Sequence, residues 1–204
     1  MPCDGFAVAK LLNSLFSKEG ARRIYSAIIS IQKRLEEKTG AVSFTLQTRT
    51  PLLINHTGPL GLPTFPLHPL WGIPVIPARL IKGTLRHYLI SQNRTGEAEQ
   101  LCGTTKQRGK AIIFDAYPAS ADQMGVGCEI FCAHNWLYHD GGPATDWHEP
   151  RVLLCGTIPP GVTFRFAVAG PDGIADTLKE ALCEHGVGAR RALGYGHFAK
   201  EGGG

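Results

Sequence analysis

The chain of 204 residues lacks the features that mark a membrane, secreted or repeat protein. It has no apolar run long enough to cross a bilayer, and Asp4 and other polar residues stand where a signal peptide needs an apolar core. It has no internal repeat and no low-complexity run apart from its last three glycines. We therefore expect a cytoplasmic protein without membrane contact, in which 43% hydrophobic content supplies the core of one domain.

The cysteines also lack a diagnostic pattern. None stands in a C-x-x-C pair, and most lie in apolar neighbourhoods, which favours reduced core thiols over disulfides. Cys128 and Cys132 are four apart with His134 just beyond, yet a structural zinc site usually needs a second ligand pair. We predict no metal and no cofactor, with zinc at these three residues as the less favoured alternative.

Charge is unevenly distributed along the chain. Residues 79–110 hold seven Lys and Arg against two Glu, whereas residues 111–150 hold six acids and no Lys or Arg. This segregation predicts a basic face for nucleic acid and an acidic face turned to solvent or to a basic protein partner. Ordinary surface scatter, re-mixed by folding, is the alternative.

The first forty residues form a helical unit. Two apolar stripes at helical spacing predict two helices between residues 6 and 38, broken near Lys18-Glu19-Gly20. From Val42 the apolar period becomes two, which predicts a half-buried strand. We therefore divide the chain into a helical extension, residues 1–40, packed on a domain of residues 41–200.

Strands and helices alternate in the predicted domain. Half of the fourteen prolines fall within residues 51–78, where interspersed apolar residues predict a packed, extended loop, and residues 119–150 resemble an insertion. The other predicted elements are a helix after Ile76-Pro77, a central strand at 111–118, strands at 152–155 and 162–168, a helix capped by Asp172, a glycine-rich loop and an edge strand at 193–198. This β-α-β-β-α-β order predicts an α+β fold of the ferredoxin-like, or RRM-like, type.

The helix after Pro77 carries a first candidate binding motif. Arg79, Lys82, Gly83 and Arg86 share a face away from its apolar stripe. Glycine inside a helix costs about 1 kcal/mol relative to alanine, so Gly83 between three cations indicates that another molecule approaches the backbone. A phosphate backbone fits, since the helix N-terminus also favours anions. Tight packing of Gly83 within the protein, with solvated cations, is the alternative.

A second candidate motif lies at Gly186–Phe198. Its four glycines allow sharp turns and let another chain lie against its N–H groups, and two arginines are placed to meet phosphate or carboxylate. The alternative is a helix cap followed by a glycine-weakened strand with solvated arginines. The candidate RNA-binding residues here are Gly186, Gly188, Arg190, Arg191 and Gly194.

Both motifs resemble those of a known family. Ile76-Pro77 followed by Leu80–Arg86 resembles the strand-to-helix motif of the RAMP superfamily, and Gly186–Phe198 resembles its C-terminal glycine-rich loop. Ala78-Arg79 and Arg190-Arg191 depart from the usual Gly-Ser and Lys-Thr of the family. Four further segments resemble the subunit that ends the backbone filament of the type III-B (Cmr) CRISPR effector complex: residues 67–74, 114–118, 146–150 and 186–189.

The resemblance implies a non-catalytic subunit for antiviral defence. It implies an RRM-like fold that binds the guide CRISPR RNA toward its 3′ end, within a ribonucleoprotein complex that pairs target RNA and contains other RAMP backbone subunits and small subunits. It implies no catalytic residue, because target cleavage is assigned to a different backbone subunit.

Two enzymatic alternatives remain open at this stage. A metal-independent endoribonuclease that processes guide precursors would need a general base among His56, His68, His87 and His197, near the basic motifs. A hydrolytic metal site would draw on the His- and Asp-rich stretch 134–149, but Gly141-Gly142-Pro143 gives its side chains no defined geometry.

Overall fold

The computed structural model of the chain describes residues 5–54, 65–133, 141–142 and 151–199. Its helices are α1 (Gly5–Phe16), α2 (Glu19–Thr39), α3 (Ala78–Ser91), α4 (Thr95–Cys102) and α5 (Ile174–His185). Its strands are β1 (Val42–Gln47), β2 (Ile112–Ile113), β3 (Tyr117–Pro118), β4 (Gly127–Ala133), β5 (Arg151–Thr157) and β6 (Thr163–Ala169). No helix of these residues is long and apolar enough to span a membrane.

Strand β6 is the centre of the main sheet. It pairs antiparallel with β1 on one side and with β2 and β3 on the other. Thr48 and Phe198 form an antiparallel bridge that sets the last part of the chain beside β1. With α3 and α5 as the two crossover helices, this arrangement is the predicted α+β ferredoxin-like fold.

The prediction of a central strand at residues 111–118 is wrong. The segment forms two short strands, and β6 takes the central place. Between them the side chain of Asp115 turns to the start of α3, where its Oδ1 accepts a hydrogen bond from the Ala78 N–H at 2.6 Å. Because Ala116 also bridges to Ile76, the segment cannot continue one uninterrupted ladder along β6.

Two elements, α4 and β4, were not predicted. Two other local predictions are wrong. Helix α5 is capped by Gly173, at φ 79°, and not by Asp172. The edge strand predicted at 193–198 is reduced to the single bridge at Phe198. Arg191–Leu193 form a 3-10 turn instead, and Gly194 and Gly196 have the positive φ angles of 91° and 75° that interrupt a strand.

The two faces of the sheet are covered differently. Helices α3 and α5 enclose the main core with Phe164, Phe166 and Val168 of β6, all fully buried. Helix α2 crosses β6 on the other side, where the Arg165 guanidinium donates to both carboxylate oxygens of Glu36, at 2.6 and 2.5 Å. The two predicted N-terminal helices are confirmed, and this ion pair fixes α2 on the sheet.

Strands β4 and β5 form a separate antiparallel hairpin. The strand predicted at 152–155 is therefore confirmed, but it pairs outside the main sheet. Helix α1 packs on this hairpin, and the Asn13 side chain exchanges two hydrogen bonds of 2.9 Å with the backbone of Val126. The tip of the predicted insertion lies outside the described residues.

Candidate nucleic-acid interface

Helix α3 presents the first cationic surface. Arg79 and Arg86 are exposed and Lys82 is half-buried, as the helical spacing predicted. Lys82 and Arg79 line a cleft with Arg108, a residue that the sequence motif did not include. Among the described residues, no acidic side chain lines this cleft, which we call the Lys82 cleft. The signal for Arg108 was present in the excess of Lys and Arg across residues 79–110.

Gly83 lies on the exposed side of α3. A Cβ built at this position has no heavy atom of the described residues within 4 Å outside its own helical surroundings. Packing within the chain therefore does not explain the glycine. The open surface leaves the helix backbone approachable between Arg79 and Arg86.

The start of α3 is less available to an external anion than predicted. A carboxylate oxygen of Asp115 already accepts the hydrogen bond of the Ala78 N–H. There the positive end of the helix dipole stabilises the negative charge of the carboxylate. Arg86 also has an internal contact, because its Nη1 donates to the Gly103 carbonyl at 3.0 Å. The side-chain cations of α3, more than its N-terminal amides, are what this helix offers to a phosphate.

The glycine loop lies against the opposite side of α3. The Thr84 hydroxyl donates to the Gly186 carbonyl at 3.1 Å, which fixes the loop beside the helix. His87 follows one turn later on that side and lines a second cleft, which we call the Arg191 cleft. Its other lining residues are Glu184, His185, Gly188, Arg190, Arg191, Ala192 and His197.

Gly186 and Gly188 are required by packing within the chain. A Cβ on Gly188, at φ 94°, would collide with the Leu53 carbonyl oxygen, and one on Gly186 would lie 2.6 Å from the Gly196 carbonyl oxygen. The neighbouring amides are also used, since the Val187 N–H donates to Gly196 at 2.9 Å and the Ala189 N–H to Leu53 at 2.7 Å. Gly194, by contrast, is open, with nothing within 4 Å of a built Cβ.

Both arginines of the loop are held in place by the protein. The Arg190 guanidinium lies over the Phe131 ring, 3.9 Å from its centroid, and Arg191 donates to the His185 carbonyl at the end of α5 at 3.2 Å. In the part of the chain that the structure describes, the N–H groups of Arg190, Arg191 and Ala192 donate to no protein acceptor. Adjacent free amides beside fixed guanidinium groups suit an anion.

Two of the three histidines of the Arg191 cleft contact each other. Nδ1 of His87 lies 3.0 Å from Nδ1 of His185, and the other ring nitrogen of His185 lies 3.2 Å from the Ser91 hydroxyl. Burial lowers the pKa of His185, with further lowering by His87 and Arg191. Nε2 of His197 lies 3.3 Å from the Arg191 carbonyl. Sequence reasoning did not include His185.

Two further candidate residues, His68 and Asp115, are not among the lining residues of either cleft. His68 holds a turn, where its Nδ1 accepts from the Leu70 N–H at 3.2 Å, and Asp115 caps α3. His56, His134 and the 134–149 stretch, apart from Gly141 and Gly142, fall outside the described residues. Within the described ranges, no group of three or more His, Cys, Asp or Glu could hold a metal ion.

Comparisons with known proteins identify the family of the chain. The RAMP superfamily model matches residues 45–199. The CRISPR system Cmr subunit Cmr6 of Saccharolobus solfataricus is 30% identical over 203 residues, covering 94% of this chain and 69% of that protein. Cmr6 of Pyrococcus furiosus is 32% identical over 117 residues, covering 51% of this chain and 34% of that protein.

Two solved structures extend the comparison. A chain of the type III-B Cmr-beta complex, seen by cryo-EM with cognate target RNA, superposes with a TM-score of 0.74 at 26% identity, covering 96% of this chain and 71% of that one. The crystal structure of Cmr6 from Pyrococcus furiosus has a TM-score of 0.53 at 21% identity, covering 78% and 97%, and supports the fold.

Proposed function

This chain belongs to the RAMP superfamily and, within it, to the Cmr6 family, and from that membership we propose that it is a guide-RNA-binding subunit of a type III-B CRISPR effector complex. It contacts other RAMP backbone and small subunits, lies at the guide 3′ end of the filament, and meets target RNA through the assembled complex. The proposal includes a cytoplasmic location, which follows from the effector role.

The observation that carries the proposal is the placement of cations on both sides of α3. The Lys82 cleft, with Arg79 and Arg108, lies on one side of the helix, and the Arg191 cleft lies on the other. Gly83 leaves the ridge between them open. An RNA backbone crossing α3 at Gly83 would place successive phosphates beside both sets of cations. Such contacts carry no base preference.

The same geometry favours binding without cleavage. Cleavage through a 2′-hydroxyl needs a base aligned with that proton and a group that stabilises the developing charge. His87 and His185 point their Nδ1 atoms at each other at 3.0 Å, and the described contact of His197 is with the Arg191 carbonyl. We therefore propose that this subunit is not an enzyme.

The salt dependence of RNA binding tests the proposal. Lys82→Ala and Arg191→Ala should each weaken binding by a similar factor for two unrelated guide sequences, and each should reduce the slope of log K against log salt by about 0.7. Lys18→Ala is the matched control, because it removes the same charge as Lys82→Ala outside both clefts. A changed sequence preference, or an equal effect of Lys18→Ala, would contradict the phosphate role.

A further inference from the structure

A groove of about 210 Å³ runs along α2, away from both cationic clefts. Its walls are mainly apolar side chains of α2 on one side and of the turn at Trp71 and the β2–β3 segment on the other: Ile28, Ile31, Leu35, Trp71, Phe114 and Tyr117. Gln32 and Asp115 complete the lining. An apolar cavity of about 150 Å³ accepts a benzene ring. This groove therefore has room for one aromatic side chain.

The apolar surface continues beyond the groove along α2. Ile24, Ile31 and Leu35 are 40%, 54% and 49% exposed, although they recur at the spacing of one helix face. The neighbouring side of α2, about 100° around the helix, already packs on the domain through Tyr25 and Glu36. Apart from the buried Ile28, helix α2 thus has an apolar face that the described part of the domain leaves exposed, which is typical of a protein interaction site.

Positive charge accompanies this face. Arg34 follows Ile31 by three residues and Lys38 follows Leu35 by three, so both lie beside the stripe. Among the described residues, neither forms an ion pair, whereas Arg22 and Arg23 of the same helix do. The complement of this surface is apolar at its centre and acidic at its rim.

A polar atom in the groove also lacks a partner. Gln32 is only 7% exposed, and its amide nitrogen donates to the Asp115 carbonyl at 3.0 Å. Its Oε1 accepts no hydrogen bond from any described residue. Because this oxygen is closed to solvent, Gln32 forms part of the wall of the groove and does not offer it a free acceptor.

We propose that this groove receives a tryptophan or tyrosine side chain from an acidic segment of a neighbouring protein subunit. The ring fills the space beside Trp71 and Phe114. Acidic residues of the same segment pair with Arg34 and Lys38. An aromatic anchor in a small pocket is the usual centre of an interface. A protein suits the aliphatic Ile31 and Leu35 better than RNA does, because bases stack on aromatic and guanidinium planes.

The identification of the neighbour as an effector subunit rests on the proposed function, so the test separates the two. The full chain and its variants are added to the remaining effector subunits with guide RNA, and incorporation is measured by size-exclusion chromatography. RNA affinity and the melting temperature are measured on the isolated chain. If the wild-type chain fails to join, both proposals fall. If it joins and the groove variants join equally well, only the groove proposal falls.

Two variants probe the groove against one control. We expect Ile31→Asp to reduce incorporation at least tenfold while RNA affinity stays unchanged. Ile130→Asp, in the β4–β5 hairpin and equally half-exposed, is the matched control and should assemble normally. The double variant Arg34→Glu/Lys38→Glu lies on the exposed surface, so it tests the acidic partner even if Ile31→Asp does not fold. It should reduce incorporation at least tenfold at low salt.

Three further results would overturn the proposal. Loss of RNA affinity with normal incorporation would make the groove an RNA site. A dimer of the isolated chain that Ile31→Asp dissociates would make a second copy the occupant. Normal incorporation of Arg34→Glu/Lys38→Glu would show that the partner does not bind these two residues through acidic side chains.

Discussion

Nδ1 of His87 lies 3.0 Å from Nδ1 of His185, so one ring must donate and the other accept. This contact joins α3 to α5 beside the glycine loop, with Tyr88 edge-on to His185. Protonation of His185 would make donors of both its ring nitrogens and place a charge beside Arg191. The pair is therefore sensitive to acid.

This contact predicts how stability depends on pH. The pKa of His185 is lowered in the folded protein, first by burial and then by His87 and Arg191, against an opposing effect of Glu184. Below pH about 6.5, the unfolded chain therefore binds more protons at this residue than the folded chain does, and stability falls as pH falls. His185→Gln should remove this contribution. Melting temperatures from pH 8 to 5 should show the wild type losing more than the variant, and parallel curves would contradict the prediction.

Gly83 and Gly188 should respond oppositely to alanine. Gly83→Ala adds a methyl group in open space and a better helix former, so it should stabilise the fold by up to about 1 kcal/mol while weakening RNA binding. Gly188→Ala forces alanine to φ 94° and against the Leu53 carbonyl, so it should destabilise by more than about 1 kcal/mol. Thermal melts with RNA titrations check both. Stronger RNA binding by Gly83→Ala would contradict an approach of the backbone at this glycine.

The Glu36–Arg165 pair should be the main ionic contribution of α2 to stability. Glu36→Ala leaves a partly buried guanidinium without its carboxylate, which costs about 3 kcal/mol, at the low end for buried pairs because Arg165 reaches solvent. Glu19→Ala breaks the exposed pair with Arg23 in the same helix and should cost less than about 0.5 kcal/mol. Urea unfolding measures both. Equal losses of unfolding free energy would contradict the prediction that the buried pair contributes more than the exposed pair.

Purified protein should leave guide and target RNA uncut, with divalent metal or with chelator. Alanine at His56, His68, His87 or His197 should leave target cleavage by the assembled complex intact, provided that assembly survives. Asp115→Ala removes a helix cap, so it should reduce the free energy of unfolding by about 1 kcal/mol and lower the melting temperature. It should not change cleavage. A product made by the wild-type chain and lost in one histidine variant would instead support an endoribonuclease.

Local spacing in the sequence determined most helices and the strands β1, β5 and β6, whereas the equally long β4 was not predicted. The apolar stripes of α1, α2, α3 and α5 and the alternation in β1 and β6 depend only on neighbours within a turn or a strand, so they are readable without the fold. Helix α4 was missed because its eight residues bury only Ala98, Leu101 and Cys102, too few for a clear stripe. The basic character of the α3 face was likewise predictable from the sequence. So was the excess of Lys and Arg over residues 79–110, to which Arg108 belongs.

Tertiary structure alone decided what the individual site residues touch. Gly83 and Gly188 both stand near cationic side chains in the sequence. A Cβ at Gly83 would meet no described residue, whereas a Cβ at Gly188 would collide with the carbonyl of Leu53, a residue distant in the chain. Arg190 was predicted to meet an anion, but only the fold brings Phe131 beneath it. Asp115 interrupts an apolar strand in sequence and caps α3 in space. Spacing along the chain fixes which face a side chain occupies, whereas the packing of distant segments fixes its neighbours.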